Sequence, residues 1–317
     1  MRIKSYILSL FLLCPSIAGQ LHAQDGKIGY QFLNIPTSAH NAALGGGNIS
    51  IVEDDASLMW TNAALLSNVS DKTISLGYTS YIASSQFMSA GFTKAVGDRG
   101  TWAIGAQVLN YGKMDETDEL GNKLGTFSAS DINIQTSYTY MLSDRWSGAI
   151  TAKVVTSSYG QYSSTALGAD LALNYFDEET GLSLSTVGRN LGGQIDEFHD
   201  NAARQALPFN WSMGFSKDFA NAPIRFSVTA DDITHWEDVN FIQHFIIGAD
   251  ILPSQNTWIA IGYNCRRAHE MKVQDKGHWA GLGIGAGLNT KRFKIGVGYG
   301  KYHVAASSIV LNAAFSL

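Results

Sequence analysis

The sequence predicts an all-β fold: a transmembrane antiparallel β-barrel of about fourteen strands with an N-terminal plug segment. Three observations predict it. The first is alternation with a period of two. In Asp131–Tyr140, DINIQTSYTY, one face carries Ile132, Ile134, Thr136, Tyr138 and Tyr140, and the other Asp131, Asn133, Gln135, Ser137 and Thr139. A helix cannot present that pattern, whereas a strand with a different solvent on each face does. The second is length, because most candidate strands run about 9 to 13 residues, enough for a tilted strand to cross a bilayer and more than a soluble sheet usually uses. The third is the connections. After even-numbered strands they are short, as at Gly97-Asp98-Arg99 and Ser143-Asp144, while after odd-numbered strands the segments 111–127, 190–207, 232–242 and 266–277 are long. Outer-membrane barrels alternate short periplasmic turns with longer extracellular loops in this way, which puts both barrel ends in the periplasm.

Taken in order, residues 1–23 read as a signal peptide: Arg2 and Lys4, an apolar stretch from Tyr6 to Leu13, then Leu21-His22-Ala23 before Gln24. Lipidation through Cys14 is disfavoured, since Leu13 stands where a small residue is needed. Cleavage leaves Cys265 alone, so no intramolecular disulfide staples the mature chain. It also leaves 20 basic against 27 acidic side chains, a formal net charge of −7, which argues against a nucleic-acid partner. No later apolar run reaches the roughly 18 to 20 residues of a membrane helix, so a membrane crossing has to use strands. The composition suits that: 32 Gly, 15 Phe, 13 Tyr and 7 Trp but only 5 Pro, with a mean hydropathy of −0.02.

Residues 24–72 differ in character, with small residues, turn formers and little alternation. They are too few for an independent core and too apolar for a disordered tail, so they are expected to plug the barrel that follows at 73–317. Its strands are expected near 73–81, 85–96, 100–111, 128–142, 145–158, 164–176, 180–190, 208–219, 223–232, 243–252, 256–265, 278–290, 291–300 and 306–317.

Aromatic girdles should mark both interfaces. Trp102, Tyr140, Trp146, Tyr175, Phe293 and Phe315 fall at the short-turn rim, and Tyr78, Tyr111, Tyr263 and Tyr299 at the long-loop rim. The opposite faces carry Lys153, Asp170, Asn174, Arg189, Arg225, Asp231, His244 and Asp250, which belong in a lumen because charges facing lipid cost a few kcal/mol each. Asp131, Lys153 and Asp170 on successive strands are expected to pair across the ladder. Glycines 281, 283, 285 and 287, with 296, 298 and 300, form a period-two face. Leu288 breaks the spacing a phosphate-binding loop needs. Such a face lets other backbone lie against the wall, so something is expected to press on strands twelve and thirteen from inside.

Several segments of the chain resemble a known family. Asn34-Ile35-Pro36, the run from Ala42 through Gly45, Gly46 and Gly47, Glu53-Asp54-Asp55 and Asn62-Ala63-Ala64-Leu65, in that order, look like the N-terminal signature of the PorV/PorQ outer-membrane proteins, PorQ-like members above all. The stretch 116–131 and Asn190-Leu191-Gly192-Gly193 resemble later parts of the same family. The resemblance implies a fatty-acid-transporter-like barrel of fourteen strands in the outer membrane of a Bacteroidetes-type bacterium. It further implies a non-enzymatic role in the type IX secretion system, anchoring a surface attachment complex. A PorZ-like surface protein would be the direct neighbour, with PorU- and PorV-like proteins in the larger assembly that joins cargo to lipopolysaccharide. The chain departs from the family pattern at His40, where arginine is expected, and at Ala63, where proline follows the asparagine.

Enzymatic motifs are missing: there is no Gly-x-Ser-x-Gly elbow, His-Glu-x-x-His or Cys-x-x-Cys, and His269-Glu270 lacks a second histidine. No cofactor is implied. The cluster Asp115, Glu116, Asp118 and Glu119 lacks calcium-loop spacing and reads better as an exposed charged hairpin. Together with Arg266 and Arg267, and Lys272 and Lys276 beyond them, these side chains are the expected partner-facing positions, the basic ones suited to phosphates or an acidic surface. The remaining alternative to an anchor is a channel for hydrophobic small molecules, which the implied fold would permit.

Overall fold

The computed structural model describes residues 28–198, 204–219, 222–237, 239–254, 256–271, 279–302 and 306–317; the signal peptide, the first residues of the plug, Lys272 and Lys276 lie outside them. Fourteen antiparallel strands close into one barrel. They are β1 (Thr73–Ser80), β2 (Gln86–Val96), β3 (Gly100–Thr117), β4 (Lys123–Met141), β5 (Trp146–Tyr159), β6 (Tyr162–Asp177), β7 (Leu182–Asp196), β8 (Asn210–Asp218), β9 (Ile224–Ala230), β10 (Phe245–Ser254), β11 (Thr257–Asn264), β12 (Leu282–Asn289), β13 (Phe293–Gly300) and β14 (Ser308–Ser316). Each pairs with its neighbours in sequence, and β1 meets β14 from Thr73↔Ser316 to Ser80↔Ile309, so no edge is left in the wall.

The parity expected from sequence sorts the two faces. Along β4, Ile134 is 53% exposed on the outside while Asn133 is fully buried. Outward Ile150, Leu171, Ile261, Ile295 and Leu311 are exposed in the same way and make an aliphatic belt, the surface of a wall meant for hydrocarbon. At the short-turn rim Trp146 packs on Tyr175 (5.1 Å between rings) and Phe293 on Phe315 (4.9 Å).

The strands correct two of the expected connections. Segment 111–127 is largely ladder: β3 and β4 stay paired out to Thr117↔Lys123, leaving only a tight turn at Asp118–Asn122. Strand β7 likewise runs on to Asp196, and β5 and β6 are joined by residues 160–161 alone. Alternating β-compatible residues extend these hairpins beyond the wall, where a reading based on length truncates them. Tyr111 is also corrected, for it sits on the inward parity of β3 and donates its hydroxyl to Asp131 Oδ2 at 2.6 Å instead of joining an outer girdle. Tyr159 gives Asp131 a second bond of 2.8 Å. Asp131 therefore does not share Lys153, which pairs with Asp170 at 2.8 Å; the register sets Lys153 opposite Gln135, four residues along β4 from Asp131.

Residues 28–72 fill the lumen. The segment starts at the long-loop rim, where Gly29 N–H donates to Ala206 O (3.1 Å) and Tyr30 Oη meets Ser164 Oγ (2.5 Å). It continues through a 3-10 turn at Gln31–Asn34, helix α1 (Ala39–Ala43) and two 3-10 turns at Ala56–Trp60 and Ala63–Asn68. Short polar side chains start the last three of these in the expected way, Ser38 for α1, Asp55 accepting from Ser57 N–H (2.8 Å) and Asn62 from Ala64 N–H (3.0 Å). Leu44, Ile49, Met59, Leu65 and Leu66 are fully buried between plug and wall.

Candidate functional site

The site the sequence singles out is the plug and its seat, and two different walls hold it. On one side, β9 to β14 meet the plug through backbone contact and ion pairs, with side-chain bonds from Asn264 and Asn312 besides. Helix α1 lies on the glycine face of β12 and β13: a Cβ on Gly298 would come within 2.5 Å of Ala39 O, and one on Gly285 within 2.9 Å of Ala43 Cβ. At Gly283 and Gly262 it would overlap the plug backbone at Ala42 and Leu44. The expected pressure on strands twelve and thirteen is thus α1, seated on wall that has no side chains there.

His40 projects from α1 into a buried relay. Its Nδ1 lies 2.7 Å from Glu53 Oε2 and its Nε2 2.9 Å from Asp250 Oδ1 on β10, whose other oxygen accepts from Arg225 Nε on β9 at 2.7 Å. The imidazole stacks on Trp258 with ring centroids 4.1 Å apart. Burial alone would lower the His40 pKa, but the Glu53 and Asp250 carboxylates outweigh it and lift it to about 9, so the ring is an imidazolium at neutral pH. A cation thus occupies the position where the resemblance expects an arginine. Glu53 is held below the usual carboxylate range: burial pushes it up, and His40 and Arg225 more than offset this.

The neighbouring acids have separate tasks. Asp54 accepts from Ser70 N–H (2.7 Å) and Ser70 Oγ (2.6 Å) and pairs with Lys294 on β13 (2.5 Å), fixing the end of the plug beside β1. Asp55 caps its turn and accepts from Asn312 Nδ2 at 3.2 Å. Burial, and then the charge of Glu53, lift its pKa to about 6.

On the other side, β4 and β5 hold the plug by side chains that donate to its carbonyls. Gln135 Nε2 reaches Met59 O (2.8 Å), Thr139 Oγ1 reaches Ala63 O (2.6 Å) and Ser147 Oγ reaches Ala64 O (2.8 Å). Ser216 on β8 does the same for Ser50 O at 2.9 Å. Asn62, besides its cap, donates to Ile49 O at 2.7 Å.

Apart from Asn34, the family-like motif residues make contacts that hold the plug. Gly45 (φ +95°) and Gly46 (φ +84°) turn the chain at the end of α1 through the left-handed region. Gly45 O accepts from Asn264 Nδ2 and from Arg267, each at 3.3 Å. Pro36 packs under Gly46, and Asn34 is exposed at the mouth, bonded to Gln31 at 3.1 Å.

Of the expected partner-facing residues, Asp115, Glu116 and Glu119 stand exposed on the β3–β4 hairpin and Asp118 folds into its turn. Arg266 and Arg267 lie on helix α2 (Cys265–Glu270) in the β11–β12 connection. Arg266 pairs with Asp232 and with Glu270 (2.7 Å). Arg267 is corrected: it turns inward, bonding Gly45 O and lying 4.4 Å over the Tyr302 ring, so it clamps the plug instead of facing a partner. The sequence reading missed the relay, because His40, Arg225 and Asp250 are far apart in the chain and only the barrel register and the plug path join them.

A void of about 10 Å³ lies between α1 and the turn at Ala56–Trp60, room for one water. At the long-loop mouth a cavity of about 410 Å³ opens between Ile28, Phe209, Arg189, Asp231, Arg266 and Arg267.

No family model matches the sequence, and no curated protein matches it. Among solved structures the chain is similar to the CymD monoaromatic hydrocarbon channel, with 13% identity and a TM-score of 0.58 over 90% of this chain and 98% of that one. It is similar to a Pseudomonas aeruginosa FadL homologue (10% identity, TM-score 0.56, 92% and 99% covered). The Pseudomonas putida toluene transporter TodX gives 12% identity and a TM-score of 0.57, with 88% and 97% covered. The fold is that of the FadL- and TodX-like outer-membrane barrels: a closed antiparallel wall of fourteen strands with an N-terminal segment outside the wall ladder.

Proposed function

We propose that this outer-membrane barrel is a non-enzymatic surface anchor, a PorQ-like component of a type IX secretion attachment complex. In this reading the short turns and both barrel ends face the periplasm and the long hairpins face outward. A PorZ-like surface protein binds the outer rim, PorU- and PorV-like proteins complete the assembly, and lipopolysaccharide surrounds it. The observation that carries the proposal is the lumen. The plug is seated backbone to backbone on glycine wall and locked by a buried ion relay, while the charged β3–β4 hairpin projects beyond the wall. The lumen is built to stay filled, and the distinctive exposed features lie at the rim. The family-like residues, including Gly45, Gly46, Asp54, Asp55 and Asn62, serve the plug, and the resemblance supplies the partners. The test is co-purification from outer membranes. A surface protein that comes down with the intact chain, and is lost when 113–126 or 191–207 is shortened, is expected; a chain that purifies alone from gently solubilised membranes overturns the anchor.

A second reading, a channel for hydrophobic small molecules, has the more direct support of the fold comparisons, since CymD and TodX are described as a hydrocarbon channel and a toluene transporter. The 410 Å³ mouth cavity, with Ile28, Pro208, Phe209 and Ile246 in its lining, is large enough for a small apolar ligand. Uptake of toluene by vesicles carrying this chain, abolished when the plug is cross-linked to the wall, would establish the channel in place of the anchor.

A further inference from the structure

We propose that the short-turn rim from β12 round to β3 binds the phosphates of an anionic glycerophospholipid, through an arc of basic side chains along the lipid-facing edge of the wall. The orientation is that of the reading above, short turns toward the periplasm, and the site lies on a part of the barrel that neither the anchor nor the channel uses. Charge is unevenly distributed round that rim. Between the β12–β13 turn and the β2–β3 turn stand Lys291, Arg292, Lys72, Lys94 and Arg99 against Asp71 and Asp98, while Lys294 turns inward to Asp54. Between the β4–β5 turn and the end of β8 the balance reverses, with Asp144, Asp177, Glu178, Glu179 and Asp218 against Arg145 and Lys217. Five basic side chains against two acidic on one arc, and two against five on the other, make a polarised ring and not a solvated scatter.

The two arcs also differ in how their cations are used. On the acidic arc Arg145 pairs with Asp177 (3.3 Å) and Glu179 (3.5 Å), and Lys217 donates to Thr180 O. On the basic arc all five cations are exposed and none makes an ion pair among the described residues, while Asp71 is spent on Ala95 N–H (2.8 Å). The register crowds two of them. Thr73 pairs with Thr93, so Lys72, just before the one, and Lys94, just after the other, meet at a single step between β1 and β2. Lys72 is held there at φ +53°, in the left-handed region that a lysine seldom adopts. Like charges opposite each other weaken a ladder, and an anion between them removes that cost.

Position selects the anion. Lys94 has the outward parity of β2 and pairs in register with Trp102, itself outward and 37% exposed. Arg292 precedes Phe293, whose ring packs on Phe315, and exposed Ile74 and Ile295 begin the aliphatic belt one step further into the wall. The arc therefore lies where hydrocarbon gives way to water, with aromatic rings beside it and room for lysine stems to lie on apolar surface while their ammonium groups reach the headgroups. Each lysine or arginine adds attraction at an anionic membrane surface, whereas an exposed ion pair in open water is worth little. Lipid is thus favoured over a second copy of this chain offering its acidic arc. A phosphodiester with net negative charge satisfies several of these donors at once; phosphatidylcholine, whose choline neutralises its own phosphate, does not compete on charge.

The experiment uses the full chain in vesicles of phosphatidylcholine with a minor fraction of phosphatidylglycerol, bromine being carried on the acyl chains of one lipid or the other. Bromine quenches tryptophan on contact, and each arc has its own reporter, Trp102 on the basic side and Trp146 on the acidic side, each read by difference from its phenylalanine variant. Per mole, brominated phosphatidylglycerol is expected to quench Trp102 about threefold more than brominated phosphatidylcholine, with no such preference at Trp146. The preference should vanish in Lys72→Gln/Lys94→Gln/Lys291→Gln, persist in Lys72→Arg/Lys94→Arg/Lys291→Arg, and shrink in about 1 M salt, all in heat-modifiable barrels. Equal quenching of Trp102 and Trp146 by brominated phosphatidylglycerol, a preference that survives the glutamine changes, displacement of phosphatidylglycerol by lipid A, or a preference seen only where two copies cross-link would each overturn the proposal. Orientation is read separately: Ser143→Cys in a Cys265→Ser chain, at the exposed β4–β5 turn, is expected to resist an impermeant maleimide on intact cells. Labelling there would overturn the orientation on which both the anchor and this lipid site stand, whereas protection together with unselective quenching of Trp102 leaves the anchor standing and removes the lipid site.

Discussion

The two walls that hold the plug do so by different physics. Strands β9 to β14 present mainly absence, glycines that leave room for the plug backbone, plus a buried chain of charges from Glu53 to Arg225, with Lys294, Asn264 and Asn312 adding bonds at its margins. Strands β4 and β5 present the side chains of Gln135, Thr139 and Ser147, each making its own hydrogen bond to a plug carbonyl. Contacts of the first kind are all-or-none, since backbone cannot retreat without moving α1 and a buried charge cannot be left alone. Contacts of the second kind are graded, and any one can be lost with local consequences.

The largest effect should come from breaking the relay at its centre. Asp250 is fully buried and accepts from both His40 and Arg225. Removing its charge leaves two cations facing each other without their shared partner, which in buried pairs costs about 3–5 kcal/mol. Asp250→Asn should release residues 28–72 to protease in folded, heat-modifiable barrels; a plug as resistant as the parent's would mean that the glycine wall alone holds it.

The same relay makes a pH prediction with a definite sign. The folded-state pKa of His40 lies above its unfolded value of 6.5, so its contribution is complete below 6.5 and is lost as pH rises through about 9, a change of about 3 kcal/mol in linkage terms. The groups facing it are Glu53, Asp250 and, through Asp250, Arg225. Asp55, raised to about 6, loses its contribution as pH rises through that lower value, so it is already ionised when His40 begins to titrate. Plug protection should therefore fall between about pH 6.5 and 9 in the parent and stay flat over that window in His40→Gln. A parent profile without slope there would mean that the imidazole is neutral in the fold.

Next in size are the glycines. Gly283→Val places a branched side chain against the carbonyl of Ala42, and overpacking against backbone that cannot swing aside costs about 2–3 kcal/mol. The change should loosen the plug without altering the wall, because Gly283 keeps ordinary strand geometry. Gly188→Val on β7, where the nearest atom to an added Cβ is 3.9 Å away and the backbone is ordinary strand, controls for mere loss of glycine.

How far the sequence discloses all this differs between the walls. The strands, their parity and the glycine face are legible because a period of two is a local property: each residue's face follows from its neighbours in the chain. The inward pressure at strands twelve and thirteen is legible for the same reason, as missing side chains on one parity. The relay is not, because His40, Glu53, Arg225 and Asp250 meet only once the plug path and the β9–β10 register are fixed. Arg267 misleads for a related reason. A loop arginine in sequence looks solvent-facing, and only the return of Gly45 to the mouth gives it an inward partner. The outer hairpin is half legible: its acids read as exposed, but its ladder does not, since Gly112 and Gly121 interrupt the alternation that marks the wall.

The smallest effects belong to the hydroxyl wall, and they test whether the two walls differ in kind. Thr139→Val keeps the shape and removes one bond to Ala63 O, at a cost of about 1 kcal/mol. Ser147→Ala removes the neighbouring bond to Ala64 O. Each contact is separate, so the double variant should lose the sum of the two single losses, read as plug proteolysis rates in folded barrels. The glycine wall should not add, because once Gly283→Val has lifted α1, Gly298→Val meets a backbone already displaced and costs little more. Additivity on both walls would mean that α1 yields locally and is not a rigid seat; strong coupling between Thr139 and Ser147 would mean that the turn at Ala63–Asn68 moves as one body.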